Sequence, residues 1–291
     1  MTVPFHVFLT RFNLPSRGNE SLVRAREGWL RNRVGLFERY CLPSMAAQTS
    51  RAFRWIIYFD PESPPWLMQW LQEKARDGAF TPIFRAEVSR SEMLEDIAGL
   101  TAQIPQVLLT TNLDNDDALA VDFVERLQAI APPAVRTAVY LARGIIRTDT
   151  GAYLRTDRSN AFCSVWEPWD GAVTCWAAHH DKLGQTMPTL ALDGPPGWLQ
   201  VVHGTNVSNR ARGRLVSPRR YGPLFAGLMD DIAEPSRGDM ARELLVNAPR
   251  RVLREAGRAG AKRVVYALWG TEGADRVKET WTRLRFGSAR R

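Results

Sequence analysis

Three carboxylates, Asp114, Asp116 and Asp117, fall within four residues in the stretch Val107-Leu108-Leu109-Thr110-Thr111-Asn112-Leu113-Asp114-Asn115-Asp116-Asp117-Ala118-Leu119. In an extended segment Asp114 and Asp116 point to the same side, because side chains alternate with a period of two. Two oxygen ligands that converge in this way suit a hard divalent cation, Mn²⁺ or Mg²⁺. The plainer reading is a solvated turn whose Asp caps the next helix. A second cluster, His179-His180-Asp181, makes no recognised zinc pattern with His203. Adjacent histidines on a strand point to opposite faces and do not chelate one ion.

These acids need an element to present them. Val107 to Leu109 reads as a buried strand and Ala118 to Ala129 as a helix, so the acids stand at a strand end. Open α/β sheets bind ligands at such strand ends. Upstream, Phe5 to Thr10 reads as the first strand, ending at Arg11-Phe12-Asn13. Trp29 to Tyr40 follows as a helix that Pro43 interrupts or kinks, with Ser44 to Gln48 as its extension. Arg54 to Phe59 is a second strand that turns at Asp60-Pro61-Glu62-Ser63, and Trp66 to Ala75 a helix. Phe80 to Phe84 is a third strand, and Ser91 to Gln103 a helix with Ser91 as N-cap. Strand–helix alternation of this kind predicts a mainly parallel, doubly wound sheet.

The second half is mixed. Thr137 to Arg147 and Ala152 to Arg155 read as a hairpin across Thr148-Asp149-Thr150-Gly151, and Ala161 to Val165 as another strand. Val173 to Ala178 is a further apolar run. Trp198 to Val202 is a strand that delivers His203-Gly204-Thr205-Asn206. Arg210 to Tyr221 reads as a basic lid, Pro223 to Asp231 and Asp239 to Gly257 as peripheral helices, and Val264 to Trp269 as a late strand.

The totals bound the class. The chain has 291 residues, 45% hydrophobic and 24% charged, a globular composition and not a disordered one. Net charge is +8, and of the 39 basic residues only Lys74, Lys182, Lys262 and Lys278 are lysine. An arginine-rich surface attracts phosphates, nucleotides, acidic glycans and anionic head groups. Nucleic acid is not expected as a partner, since neither zinc-finger spacing nor an aromatic-basic RNA-binding signature is present. Three scattered cysteines give no disulfide framework and fit a reducing compartment. With no signal peptide and no apolar run long enough to span a membrane, the expected location is the cytoplasm. The basic C-terminal segment permits peripheral contact with the inner face of the membrane.

The first strand, RVGLFERYCLPSMAAQTSRAFRWIIYFD (residues 33–60), VLLTTNLDNDDALAVDFV (107–124) and WLQVVHGTN (198–206) together resemble the rhamnosyltransferase family. That family is a branch of the nucleotide-sugar-dependent glycosyltransferases with the GT-A fold, and the resemblance covers residues 5 to 210. It implies a GT-A-like α/β fold, a mixed, mainly parallel sheet flanked by helices, in one domain over 1–291. Residues 1–130 form the nucleotide-binding half, 131–210 the acceptor-side half and 211–291 a basic extension.

The implied activity is metal-dependent, inverting transfer of a sugar from a dTDP- or UDP-sugar to the hydroxyl of a glycan or lipid-linked acceptor. By the same resemblance Asp114 and Asp116 hold Mn²⁺ or Mg²⁺ across the two phosphates, and His203 adds a metal or diphosphate contact. Asn206 reaches a phosphate or the sugar, unless it only terminates the turn, and Asp60 reads the base or ribose, unless it only forms the turn before Pro61. Arg11 pairs with a phosphate or the base, unless it is a solvated loop charge. Arg210, Arg212 and Arg214 close over the diphosphate. An inverting transfer needs a base. The family's usual Glu-Asp dipeptide is absent, leaving Glu167, Asp170 and Asp181 as candidates. Glu167 sits between Trp166 and Trp169, where apolar walls raise a carboxyl's pKa. Two other readings stand beside this one. A sugar-nucleotidyltransferase usually carries a Gly-rich loop after strand one, which this chain lacks. A non-catalytic glycan- or anion-binding protein could keep the fold without the chemistry.

Overall fold

Strand β1 (Phe5–Arg11) lies inside the main sheet, parallel to β2 (Arg54–Phe59) on one side and to β4 (Val107–Asn112) on the other. All three are near-continuous apolar runs, as strands covered on both faces must be. Val7, Phe8, Leu9, Ile56, Leu108 and Leu109 have no exposed surface. β3 (Thr81–Phe84) extends the sheet in parallel beyond β2. On the other side β9 (Ser164–Pro168) runs antiparallel to both β4 and β6 (Thr137–Leu141). β10 (Thr189–Leu192) completes the edge, parallel to β6. The order β10-β6-β9-β4-β1-β2-β3 is a mixed, mainly parallel sheet flanked by helices, the GT-A-like arrangement that the resemblance implies.

The computed structural model describes residues 4–15, 28–203 and 212–250. Asn206, Arg210, the expected strand Val264–Trp269 and the basic C-terminal run lie outside them. The chain forms two compact units, Met1–Glu234 and Pro235–Arg291. In the second, α7 (Arg237–Arg242) starts from a capping box at Ser236 and Asp239 and runs on into a π-helical segment, Glu243–Asn247.

Helix α1 (Trp29–Leu36) is followed by a π-helical segment, Phe37–Cys41, and then by α2 (Leu42–Ala46). Pro43 therefore does not break the helix. The widened turn before it relieves the clash its ring makes with the carbonyl four residues back. Helix α3 (Pro65–Lys74) matches its pattern. Helix α4 (Arg90–Ala98) is capped two residues earlier than expected, because Ser89 and not Ser91 is the N-cap and forms a capping box with Glu92.

A second, five-stranded sheet has the order β12-β8-β7-β11-β5. β7 (Arg143–Thr148) and β8 (Gly151–Thr156) make the expected hairpin. The run from Thr137 is not one strand, however. It leaves the main sheet after Leu141 and enters the second at Arg143. Gly144 faces Trp198 of β11 (Trp198–Val201), and a Cβ there would stand 1.9 Å from the indole. The expected helix from Ala118 begins only at Phe123 (α5, Phe123–Gln128). Ala118–Leu119 is instead β5, antiparallel to β11, so sheet pairing overrides local helical pattern. Part of the expected lid is a strand too: β12 (Arg214–Val216) pairs with β8 and leads into α6 (Pro218–Tyr221). Residues 223–231 make a 3-10 turn, Gly222–Phe225, and further turns in place of an α-helix. Val173–Ala178 forms no strand, and Thr174 within it has a left-handed φ of 67°.

Candidate active site

β4 ends at Asn112 and β5 begins at Ala118, so residues 113–117 bridge the two sheets. The bridge is pinned to the end of β1. Thr10 donates to the Leu113 carbonyl (2.7 Å), and Asn115 Nδ2 donates to the carbonyls of Phe12 (2.8 Å) and Arg11 (3.2 Å). The Asp117 N–H returns to the Asp114 carbonyl (3.3 Å). The acids thus sit in a turn, and the period-two reading of Asp114 and Asp116 does not hold. They take different environments instead.

Asp114 opens into a cavity, and Asp116 is buried behind it. Asp116 Oδ2 meets Arg33 Nη1 at 2.5 Å and His203 Nε2 at 3.0 Å. Burial works to raise the Asp116 carboxyl. The His203 hydrogen bond and the Arg33 and His203 charges outweigh it and hold the group below the ordinary aspartate value. Asp114 is pushed up, first by enclosure in the cavity walls and then by the Asp116 charge. Asp117 is pushed well up by burial and by both neighbouring acids, and its Oδ1 accepts the Val201 N–H (2.8 Å), tying the bridge to β11. Arg33 comes from α1 and also donates to Asn115 Oδ1 (3.2 Å).

The cavity has a volume of about 880 Å³, within the range of small-molecule sites. Arg11, Arg33, Arg155 and Arg212 line it. Arg11 stacks over the Trp176 ring (4.2 Å), whose Nε1 donates to Asn112 Oδ1 (2.8 Å). His179, His180 and Asp157 also line the cavity. Asp157 accepts from Arg155 Nη2 (2.7 Å) and from the Ser159 N–H (3.2 Å).

Several expected residues are placed elsewhere. Glu167 does not reach the cavity. Its fully buried carboxylate accepts from Arg136 Nε (2.6 Å) and from the N–H groups of Val173 (2.9 Å) and Thr174 (2.8 Å). Its acceptors are filled, so it anchors the loop that carries Trp176, His179 and His180 and does not act as a base. Asp60 also lies off the cavity wall, and its Oδ1 closes the turn onto the Glu62 N–H (2.9 Å). Asp170 is exposed and outside the cavity. Asp181 reaches it only through His179, whose Nδ1 lies 2.7 Å from Asp181 Oδ1. The two histidines do not point to opposite faces. They stand in a loop and the first turn of a 3-10 helix, and their rings are 4.2 Å apart. Arg155, Asp157 and Trp176 belong to segments with no motif of their own, and Arg33 opens the 33–60 segment that carries the resemblance without being assigned a role there.

The donor set bears on a metal. Among the described residues no group of three or more His, Cys, Asp or Glu is arranged to hold an ion. Mg²⁺-like cations, however, are often held by one or two carboxylates, with phosphates and water supplying the other oxygens. Asp114 and Asp116 fit such a shared site. Burial and then the Asp116 charge push the Asp114 carboxyl up, and a cation at its cavity-facing oxygens would oppose both.

A family model described as "Putative rhamnosyl transferase" matches residues 5–215, from β1 through the acid bridge, the loop of Trp176 and β11 to β12. The chain belongs to this family. No curated protein matches it. Among solved structures, S. aureus TarS 1–349 in complex with UDP is 11% identical with a TM-score of 0.41, covering 78% of this chain and 65% of that one. The mannosyltransferase PcManGT from Pyrobaculum calidifontis, in complex with GDP-Man and Mn²⁺, is 14% identical with a TM-score of 0.41, covering 97% and 88%. The inositol-1-phosphate CTP transferase from T. maritima is 7% identical with a TM-score of 0.38, covering 80% and 100%. The chain spans 37%, 60% and 65% of three TarS chains that it matches. At these identities and scores the structures assign no substrate, metal or partner to this chain.

Proposed function

We propose that this protein is a glycosyltransferase that moves a sugar, rhamnose by the family description, from a dTDP- or UDP-linked donor to an acceptor hydroxyl. The acceptor is a glycan or a lipid-linked glycan. The observation that carries the reading is the cavity at the strand ends, in which Asp114 faces Arg11, Arg33, Arg155 and Arg212. Such a cavity accepts a dianionic diphosphate and has room for a sugar. In this reading Asp114 and Asp116 hold Mn²⁺ or Mg²⁺, and His203 acts through Asp116. Arg11, Arg33 and Arg212 bind the diphosphate. When bound, the cation offsets negative charge that gathers on the departing diphosphate.

The acceptor oxygen attacks the anomeric carbon on the face opposite the diphosphate, and the bond to the diphosphate breaks with its electron pair. Positive charge on the sugar is oxocarbenium-like at that point, as in glycoside hydrolysis. Lining arginines favour the diphosphate over the intact donor only as charge develops, the condition for catalysis. Among the described residues no helix is long and apolar enough to cross a membrane. We propose a cytoplasmic location, where a net charge of +8 favours lipid-linked acceptors at the membrane's inner face.

Hydrolysis of UDP- and dTDP-sugars, read as release of the nucleoside diphosphate, tests the reading. The wild-type chain is expected to hydrolyse at least one donor, and Asp114→Ala and Asp116→Ala to lose about a hundredfold or more. Equal release by the wild type and both variants contradicts the proposal.

A further inference from the structure

We propose that His180 removes the proton of the attacking hydroxyl; the proposal rests on the transferase reading above. His180 lines the cavity and is half-buried. Its Nδ1 lies 2.5 Å from the Ser159 carbonyl oxygen. A carbonyl only accepts, so Nδ1 carries the hydrogen and the lone pair of the neutral ring is on Nε2. Among the described residues Nε2 has no hydrogen-bond partner. The backbone is held as firmly as the ring, because Tyr140 Oη donates to the His180 carbonyl (2.7 Å). An imidazole on the wall of a ligand cavity, with Nδ1 tied to a carbonyl and Nε2 left to take a proton, is the arrangement a general base needs.

The surroundings suit the imidazolium that forms. The Asp181 carboxylate feels the charge of His180. The His179 ring lies 4.2 Å away, tilted by 38°, and its Nδ1 lies 2.7 Å from Asp181 Oδ1. The carboxylates are less suited. Glu167 has its acceptors filled by Arg136 and two N–H groups, and Asp157 is held by Arg155 and the Ser159 N–H. The step balances: the acceptor oxygen forms its bond to the anomeric carbon, its proton passes to His180 Nε2, and the diphosphate leaves with the electron pair of the broken C–O bond.

His180→Asn is the informative substitution. The amide keeps an N–H for the Ser159 carbonyl and has no lone pair where Nε2 stood. Hydrolysis of a UDP- or dTDP-sugar is expected to fall about a hundredfold or more, while the thermal shift given by the nucleoside diphosphate stays at the wild-type size. Azide brings no proton to remove, so adding it is expected to restore turnover, with glycosyl azide as product. Wild-type hydrolysis by His180→Asn, or a loss that azide does not restore, overturns the proposal. So does loss with azide rescue in Asp157→Asn while His180→Asn stays active. Absence of any nucleotide shift in the wild-type chain overturns the transferase reading itself, and the proposal with it.

Discussion

Arg33 and Asp116 form the closest ion pair at the bridge, and both side chains are largely buried, at 14% and 9% exposure. Breaking a buried pair leaves an uncompensated charge and costs about 3–5 kcal/mol. Here His203 stays as a partner, so Arg33→Gln is expected to lose about 2–3 kcal/mol at neutral pH. The sign with pH is fixed by the shift. Asp116 is held below its ordinary value, so its stabilising share is present above about pH 4 and disappears as pH falls through the folded value. The gap between wild type and Arg33→Gln in urea unfolding should therefore narrow in acid. A gap that widens there contradicts the assignment of the pair. At this scale the sequence was informative about type and poor about direction. Asp114, Asp116 and His203 are brought together, but a turn at Asn115 sends the two acids into different environments. No periodicity argument reports a turn of that kind.

At the scale of elements, the loop from Val173 to His180 does what a motif would otherwise announce. It has no regular structure, and Thr174 holds a left-handed backbone within it. Such a conformation in a non-glycine residue costs of order 1–3 kcal/mol and persists only when its surroundings hold it. Glu167 does so from β9, accepting two successive N–H groups. Glu167→Gln replaces one acceptor with an amide donor that faces those N–H groups. It is expected to cost about 2–3 kcal/mol in urea unfolding, kept modest because Arg136 is 33% exposed. Trp176 fluorescence should shift with it. Unchanged stability and emission would show that the loop is held elsewhere. The buried strands β1, β2, β4 and β11 were legible, because a strand covered on both faces must be a short apolar run. The short β5 and the loop were not. Pairing with β11 decides β5, and a carboxylate on another strand decides the loop, so neither cause is local. Glu167 drew notice for its Trp neighbours, but Trp166 is fully buried beside it and marks core, not a catalytic pocket.

At the scale of the whole molecule, two sheets meet at the acid bridge, and the arginine excess of the composition becomes specific there. Four arginines line one cavity with Asp114, Asp116 and Asp157. That cavity lies where the order of parallel strands leads a ligand, and the family match spans all the elements around it. The direct measurement is a thermal-shift titration of the full chain with UDP and dTDP, each with and without Mn²⁺, repeated on Asp116→Ala. Stabilisation by at least one nucleotide that requires Mn²⁺ and vanishes in the variant is the predicted result. Equal stabilisation without the cation, or none from any nucleoside diphosphate, contradicts the account.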